Sequence, residues 1–324
     1  CLCGTPRDQE QKSLTTYLAD SASESKINMK KLSKNAIIGY PAGIITGITY
    51  GLNPLFAMPL INQGASIESI LFFRYSFAVI ILGAFLLLSR HNFKISLAQA
   101  KVLLILGLLY TSSSLFLFEA YKYIASGLAT TLIFLYPVLV AIIMVFLRVV
   151  PSMPVWFAIV ATFGGVIIMT QDGGNEAINP IGVLLSLGSA LVYALFIVII
   201  NKNKAISDIS NPLLTFYALS VGAIVFLIKI FFTDTSITTG ISSTSSWMNI
   251  LGLAILPTIV STATLAIATR NIGATKASVL GVFEPITAIL IGTLVFGEPL
   301  TTNIMIGICI AIAAVTFMII VTKR

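Results

Sequence analysis

Residues 274 to 295 form a largely apolar run that carries one carboxylate, Glu284, directly before Pro285. At about 1.5 Å per helical residue the run covers roughly 33 Å, the hydrocarbon thickness of a bilayer, which sets Glu284 near the midplane. A charge at such a depth costs about 2.5 to 3.5 kcal/mol on insertion scales, so an acid there normally faces protein or a watery cavity and marks a pathway. Pro285 has no N–H and frees the carbonyl of Gly281, adding loose backbone polarity one turn from the acid. A chain built on this stretch is confined to membrane folds.

The pattern occurs twice. LYPVLVAIIMVFLRVVPS, 135 to 152, aligns without a gap on FEPITAILIGTLVFGEPL, 283 to 300, at an offset of 148, matching Pro137 to Pro285 and Pro151 to Pro299. Upstream the register continues, with Lys122 over Arg270, Ile124 over Ile272 and Ala129 over Ala277. IGYPAGIITGITY, 38 to 50, aligns on IGVLLSLGSALVY, 181 to 193, pairing Gly39 with Gly182 and Tyr50 with Tyr193 at an offset of 143. Tyr136 stands where Glu284 stands in the second copy.

Composition agrees with a membrane class: 57% of residues are hydrophobic and 10% charged, against roughly 25% charged in soluble domains. Apolar periodicity predicts an all-α polytopic protein with ten transmembrane helices, at about 36 to 58, 67 to 88, 102 to 123, 126 to 147, 154 to 171, 180 to 200, 211 to 232, 248 to 269, 274 to 295 and 301 to 321. Residues 1 to 35 are polar and Ser/Lys-rich and read as a disordered tail. Cys1 as a lipidated cysteine competes there with a natural start at Met29, and the latter is favoured. Thr233 to Ser246 reads as a surface loop. Three cysteines support neither a disulfide framework nor a zinc site.

The net charge of +7 raises nucleic acid as a partner, but the cations lie in short loops, where membrane orientation accounts for them. With the N-terminus inside, fourteen Lys and Arg near span ends fall on the cytoplasmic side and two, Lys122 and Lys229, outside. Both termini are therefore expected in the cytoplasm of a cell inner membrane. Five spans per copy is odd, so the copies enter from opposite sides, as two inverted five-helix repeats, 36–171 and 172–324, with a site expected between them.

These features together resemble the drug/metabolite transporter superfamily, and within it the EamA type: the repeated five-span pattern, the arginine of FFRYSFAVIILG (72 to 83), EAYKYIASGLATTLIFLYPVLVAII (119 to 143) and FEPITAILIGTLVFGEPLT (283 to 301). The resemblance covers about 36 to 321. It implies a secondary carrier for small organic solutes, often an exporter, whose central cavity opens alternately to each side. One departure is Val150-Pro151, where the first repeat of the family often carries an acid; Glu298 is left alone in its loop.

Each candidate residue has a plainer alternative. Glu284 is a solute-amine partner or a proton carrier, or else an acid satisfied by neighbouring helices; burial disfavours its charged form, which suits proton coupling too. Arg74 and Glu119 share the outer third of the membrane and are expected to form an intramembrane ion pair, with Arg74 contacting solute as the other reading. Tyr50, Tyr136 and Tyr193 line the cavity or merely pack. Asn53, before Pro54, is a cavity contact or helix-helix glue, and Pro54, Pro137 and Pro285 are candidate hinges. Ser113 and Thr262 are solute contacts or, more simply, bonded to backbone.

No HExxH, Walker A, GxSxG or CxxC pattern occurs, and the single histidine, His91, sits in a loop, so enzyme chemistry, a metal site and ATP-driven transport are not expected. No cofactor is implied. The expected partners are a small-molecule solute, membrane lipid and, as a candidate coupling ion, protons, with the chain a monomer or homodimer. One midplane acid with no midplane Lys or Arg favours zwitterionic, cationic or neutral metabolites such as amino acids. A passive pore or lipid-handling protein is the alternative.

Overall fold

The computed structural model describes residues 35–148, 153–170, 178–232, 237–272, 277 and 280–321, and all regular structure among them is helical. The tail expected over 1–35 lies outside the described residues but for Asn35, as do Cys1, Cys3 and Pro151. Seven helices are long and apolar enough to cross a membrane: α1 Asn35–Asn62, α2 Ile67–Leu88, α3 Leu97–Ala120, α4 Ser126–Phe146, α6 Pro180–Ile200, α7 Asn211–Phe232 and α8 Thr244–Thr269. Three apolar helices with shorter apolar runs complete the set, α5 Met153–Thr170, α9 Phe283–Phe296 and α10 Thr302–Val321. Large side chains such as Phe157, Phe231, Phe232 and Leu294 stand exposed on their outer faces, as lipid contact requires.

Local chemistry sets the ends. Helix α3 starts at Leu97, five residues before the expected 102, because Ser96 and Gln99 close a capping box that satisfies two free backbone N–H groups. It ends at Ala120, so Glu119 sits in the last turn and not several residues deep. Ser243 accepts from the Ser246 backbone N–H and starts α8 at Thr244, so the end of the Ser/Thr-rich link is helical.

Four prolines, three inside spans and Pro285 in the first turn of α9, interrupt the hydrogen-bond ladder, and each frees the carbonyl four residues earlier. Pro54 frees that of Tyr50, which accepts instead from Asn53 Nδ2 at 2.8 Å. Pro257 frees that of Leu253; the Thr258 hydroxyl donates to it at 2.9 Å, and Ile255–Val260 opens into a π-helical stretch. Pro285 frees Gly281, whose carbonyl accepts from the Glu284 N–H at 2.9 Å. Pro137 sits just after the turn at Phe134–Leu135 that divides α4 into Ser126–Ile133 and Tyr136–Phe146. Polar backbone exposed within apolar surroundings is thus mended locally.

The helices pack in matched couples. Contacts join α3 to α6 and α8 to α1; α4 to α6 and α9 to α1; α3 to α7 and α8 to α2; and α2 to α7, α4 to α9 and α5 to α10. Adding five to a helix number in one half, or subtracting five in the other, turns the first three couples into one another and leaves the last three pairs unchanged. Small residues allow the closest approaches, as in membrane bundles generally. Gly39, Gly43, Gly47 and Gly51 form one stripe of α1. A Cβ on Gly51 would lie 2.5 Å from the Glu284 carbonyl oxygen, and one on Gly47 3.2 Å from the Glu284 nitrogen.

Candidate functional site

The glycine stripe holds the α9 backbone against α1 at Glu284, and the Glu284 side chain is buried. Among the described residues neither of its carboxylate oxygens has a hydrogen-bond or ion-pair partner. Five tyrosines lie within its electrostatic reach: Tyr50 on α1, Tyr110 on α3, Tyr136 on α4, Tyr193 on α6, and Tyr121 just after α3. Tyr121 is committed to the Thr130 hydroxyl at 3.1 Å. The other four rings keep accessible surface although they sit deep in the bundle, and their hydroxyls have no hydrogen-bond partner among the described residues. Three of them form a connected aromatic cluster: Tyr136 meets Tyr193 edge-on with centroids 5.0 Å apart, Tyr193 stacks on Phe196 at 5.7 Å, and Phe196 meets Tyr110 at 5.5 Å.

The second buried charge is Arg74 on α2, 2% exposed. It does not pair with Glu119, contrary to expectation. Glu119 forms a salt bridge with Lys122 at 3.0 Å, because α3 ends one residue later and puts both at its C-terminal end. Arg74 Nε donates to Thr258 Oγ1 at 2.9 Å, and its guanidinium carbon lies 5.5 Å from the Phe118 ring centroid and 6.0 Å from that of Tyr75, a distance at which a ring quadrupole attracts a cation. Thr258 can accept there because its own hydrogen is spent on Leu253, so the Pro257 break in α8 orients the arginine. No carboxylate balances Arg74 among the described residues. Tyr50, Tyr110 and Tyr121 lie within electrostatic reach of both Arg74 and Glu284.

The remaining candidates divide. Asn53 is 1% exposed; its amide nitrogen is used on Tyr50, and Oδ1 is buried without a partner. The Ser113 hydroxyl donates to the Ser189 carbonyl at 3.1 Å, and Thr262 donates to the carbonyls of Thr258 and Ile259 at 2.8 and 3.1 Å. Both hydroxyls serve backbone, the plainer of their two readings. Pro54, Pro137 and Pro285 mark breaks beside Tyr50, Tyr136 and Glu284 respectively.

The roles of three contributors escaped the sequence reading: Tyr110, Thr258 with its proline, and Glu298. Tyr110 and Thr258 align at the offset of 148, a signal that was present. Glu298, named from the sequence without a role, caps α4, accepting at Oε1 from the Ser126 N–H at 2.7 Å and at Oε2 from the Gly127 N–H at 3.1 Å.

The sequence profile of the EamA-like transporter family matches residues 37–171 and again 180–320. The chain belongs to that family. This EamA-type protein is therefore a multi-pass membrane protein of a transporter family. It is 27% identical over 199 residues to the "Uncharacterized transporter YvbV" of Bacillus subtilis (strain 168), a match that spans 60% of this chain and 63% of that relative. A solved crystal structure with 14% identity superposes with a TM-score of 0.62, covering 90% of this chain and 98% of the other; at that identity it speaks to fold alone.

Proposed function

We propose that this EamA-type protein is a secondary, ATP-independent exporter of small zwitterionic metabolites such as amino acids, working by alternating access around the tyrosine-walled interior. The observation that carries the proposal is a pair of buried groups of opposite character, the Arg74 guanidinium and the Glu284 carboxyl, neither with an ion-pair partner among the described residues. A solute bearing an ammonium and a carboxylate supplies both missing partners at once: the acid takes the ammonium, and the guanidinium takes the carboxylate in the two-pronged geometry arginine favours. Glu284 is also the one buried acid among the described residues, and it could carry a proton in exchange.

The architecture assigned to this mechanism is ten spans in two inverted repeats, 36–171 and 172–324, in the inner membrane with both termini cytoplasmic. Aligned residues make exchanged contacts that support it. Gly39 of the first copy packs on Ile272 of the second, and Gly182 of the second packs on Ile124 of the first, although Gly39 aligns with Gly182 and Ile124 with Ile272. Likewise Ser113 donates to the Ser189 carbonyl at 3.1 Å and Ser261 to the Thr46 carbonyl at 3.4 Å, while Ser113 aligns with Ser261 and Ser189 with Thr46. An axis in the membrane plane relating the copies generates such reciprocal pairs.

The test is counterflow of labelled amino acids in proteoliposomes, with saturation and dependence on solute or protons in the opposite compartment as the expected result. Linear, unsaturable flux unaffected by the opposite compartment would mean a passive pore. A purified protein stabilised by an amine-plus-carboxylate solute, but not by its amide or its deaminated analogue, would establish the solute class.

A further inference from the structure

We propose that Glu298 is a one-sided latch, holding shut the face that bears the α3–α4 and α9–α10 links, and so biasing the transporter toward opening on the opposite face. The inference rests on the alternating-access and inverted-repeat reading above. Glu298 belongs to the second copy, and everything it grips belongs to the first: the Ser126 N–H at 2.7 Å, the Ser126 hydroxyl at 2.5 Å and the Gly127 N–H at 3.1 Å. A carboxylate on free N–H groups at a helix start makes charge-assisted bonds reinforced by the helix dipole. The loop is shaped to deliver it. Gly297 ends α9 in the left-handed conformation at φ 67°, and the Glu298 N–H returns to the Gly292 carbonyl at 2.9 Å, so the side chain is aimed back across α4. Gly292 is the clearance for it, because a Cβ there would collide with Oε2. Gly127 seats the same crossing; its own Cβ would lie 2.9 Å from the Ile289 Cα.

At the offset of 148 the first copy has none of these parts. Val150 stands for Glu298, Met144 for Gly292 and Ala274 for Ser126. In a pair of inverted repeats, the two closed faces are built from exchanged copies of one junction. A valine cannot accept the N–H groups of a helix start, an alanine offers no hydroxyl, and a methionine fills the clearance. The sequence therefore equips one face with a carboxylate that accepts three hydrogen bonds and gives the other no such acceptor.

Pulsed electron-resonance distances on the full chain in lipid nanodiscs test this, with Cys1, Cys3 and Cys309 replaced by alanine. One spin pair sits at Tyr123→Cys and Leu300→Cys, both exposed on the latched face, and a second at Asn92→Cys and Asp208→Cys in links exposed elsewhere. Glu298→Val, which removes all three bonds, is expected to raise the long-distance fraction of the first pair about tenfold, a net shift of about 1.4 kcal/mol. Ser126→Ala, which removes one partner and spares the loop, should move it the same way about threefold, and Glu298→Gln, which keeps one acceptor, should fall between. Unchanged distances in both Ser126→Ala and Glu298→Val overturn the latch. The reciprocal variant, Val150→Glu with Met144→Gly, should shorten the second pair; if that pair does not respond while the first does, the latch stands and the inverted-repeat reading fails.

Discussion

The two copies of the repeat agree where helices touch one another and differ where they face the interior. Gly39 and Gly182, Ser113 and Ser261, and Ile124 and Ile272 occupy aligned positions and make exchanged contacts. Around the interior the copies part. Tyr136 precedes Pro137 in α4 where Glu284 precedes Pro285 in α9, and α3 runs unbroken from Leu97 to Ala120 where α8 opens at Pro257 to place Thr258 against Arg74. The matched contacts join helices to one another, and the unmatched residues are those around Glu284 and Arg74.

The comparison breaks most easily at its least symmetric residue. Glu284→Gln should reduce counterflow by about a hundredfold, the loss expected when a buried charged partner worth about 2.7 kcal/mol is removed, while far-UV dichroism and detergent elution stay unchanged. Placing the acid in the other copy, as Tyr136→Glu in the Glu284→Tyr background, asks whether position or copy matters. Partial recovery of counterflow would mean that the acid serves from either side of the interior.

Arg74 comes next, and there the structure reverses the expected sign. An ion pair with Glu119 would make Arg74→Met strongly destabilising, because one buried charge would be orphaned. Arg74 has no such partner among the described residues, so Arg74→Met should leave thermal stability equal or raised while weakening binding of carboxylate-bearing solutes at least tenfold, the loss of one charged contact of about 1.4 kcal/mol. Glu119→Gln, at the half-exposed bridge to Lys122, should cost under about 1 kcal/mol. A stability loss of several kcal/mol in Arg74→Met would restore a structural role for the arginine.

The glycine stripe supplies the third contrast. Gly51→Ala drives a methyl into the Glu284 carbonyl, which cannot turn aside, and should cost about 1 to 3 kcal/mol as overpacking together with counterflow, because the acid moves with its backbone. Gly39→Ala and Gly182→Ala meet Ile272 and Ile124 side chains at 2.5 and 2.7 Å, ends that can rotate. Both should cost less, and by similar amounts, in thermal melts. Unequal costs would blur the reciprocity on which the repeat axis rests.

How much of this could be read in advance follows from the kind of signal each residue leaves. The apolar runs and the repeat were legible because each depends on hydrophobicity along a line; α2 and α7 have the expected bounds of 67 to 88 and 211 to 232, whereas α9 is Phe283–Phe296 against the expected 274 to 295. Helix starts were less so; Ser96 and Ser243 add turns outside the apolar runs, where capping replaces hydropathy as the cause. The Arg74–Glu119 expectation failed because depth was counted from an apolar run that ended three residues beyond the helix. The role of Glu298 was missed since its partners lie some 170 positions away, at a helix start that only the fold brings to the loop. The stripe Gly39, Gly43, Gly47 and Gly51 was visible at four-residue spacing, yet its target on α9 was not.

The smallest effect is the most discriminating for the frame. Ser113→Ala and Ser261→Ala each remove one hydroxyl-to-carbonyl bond between copies, about 0.6 kcal/mol for interhelical hydrogen bonds in membrane proteins. Ser113 sits in the tighter junction, where the Ser189 hydroxyl also returns to the Ser113 carbonyl at 2.7 Å. The bond from Ser261 is longer, at 3.4 Å. On geometry alone Ser113→Ala should therefore lower the melting temperature at least as much as Ser261→Ala, and neither should alter the solute concentration for half-maximal counterflow. If Ser261→Ala instead weakens solute binding while barely moving the melt, its hydroxyl faces the interior during transport, and the reciprocal serines belong to the binding site as well as to the frame.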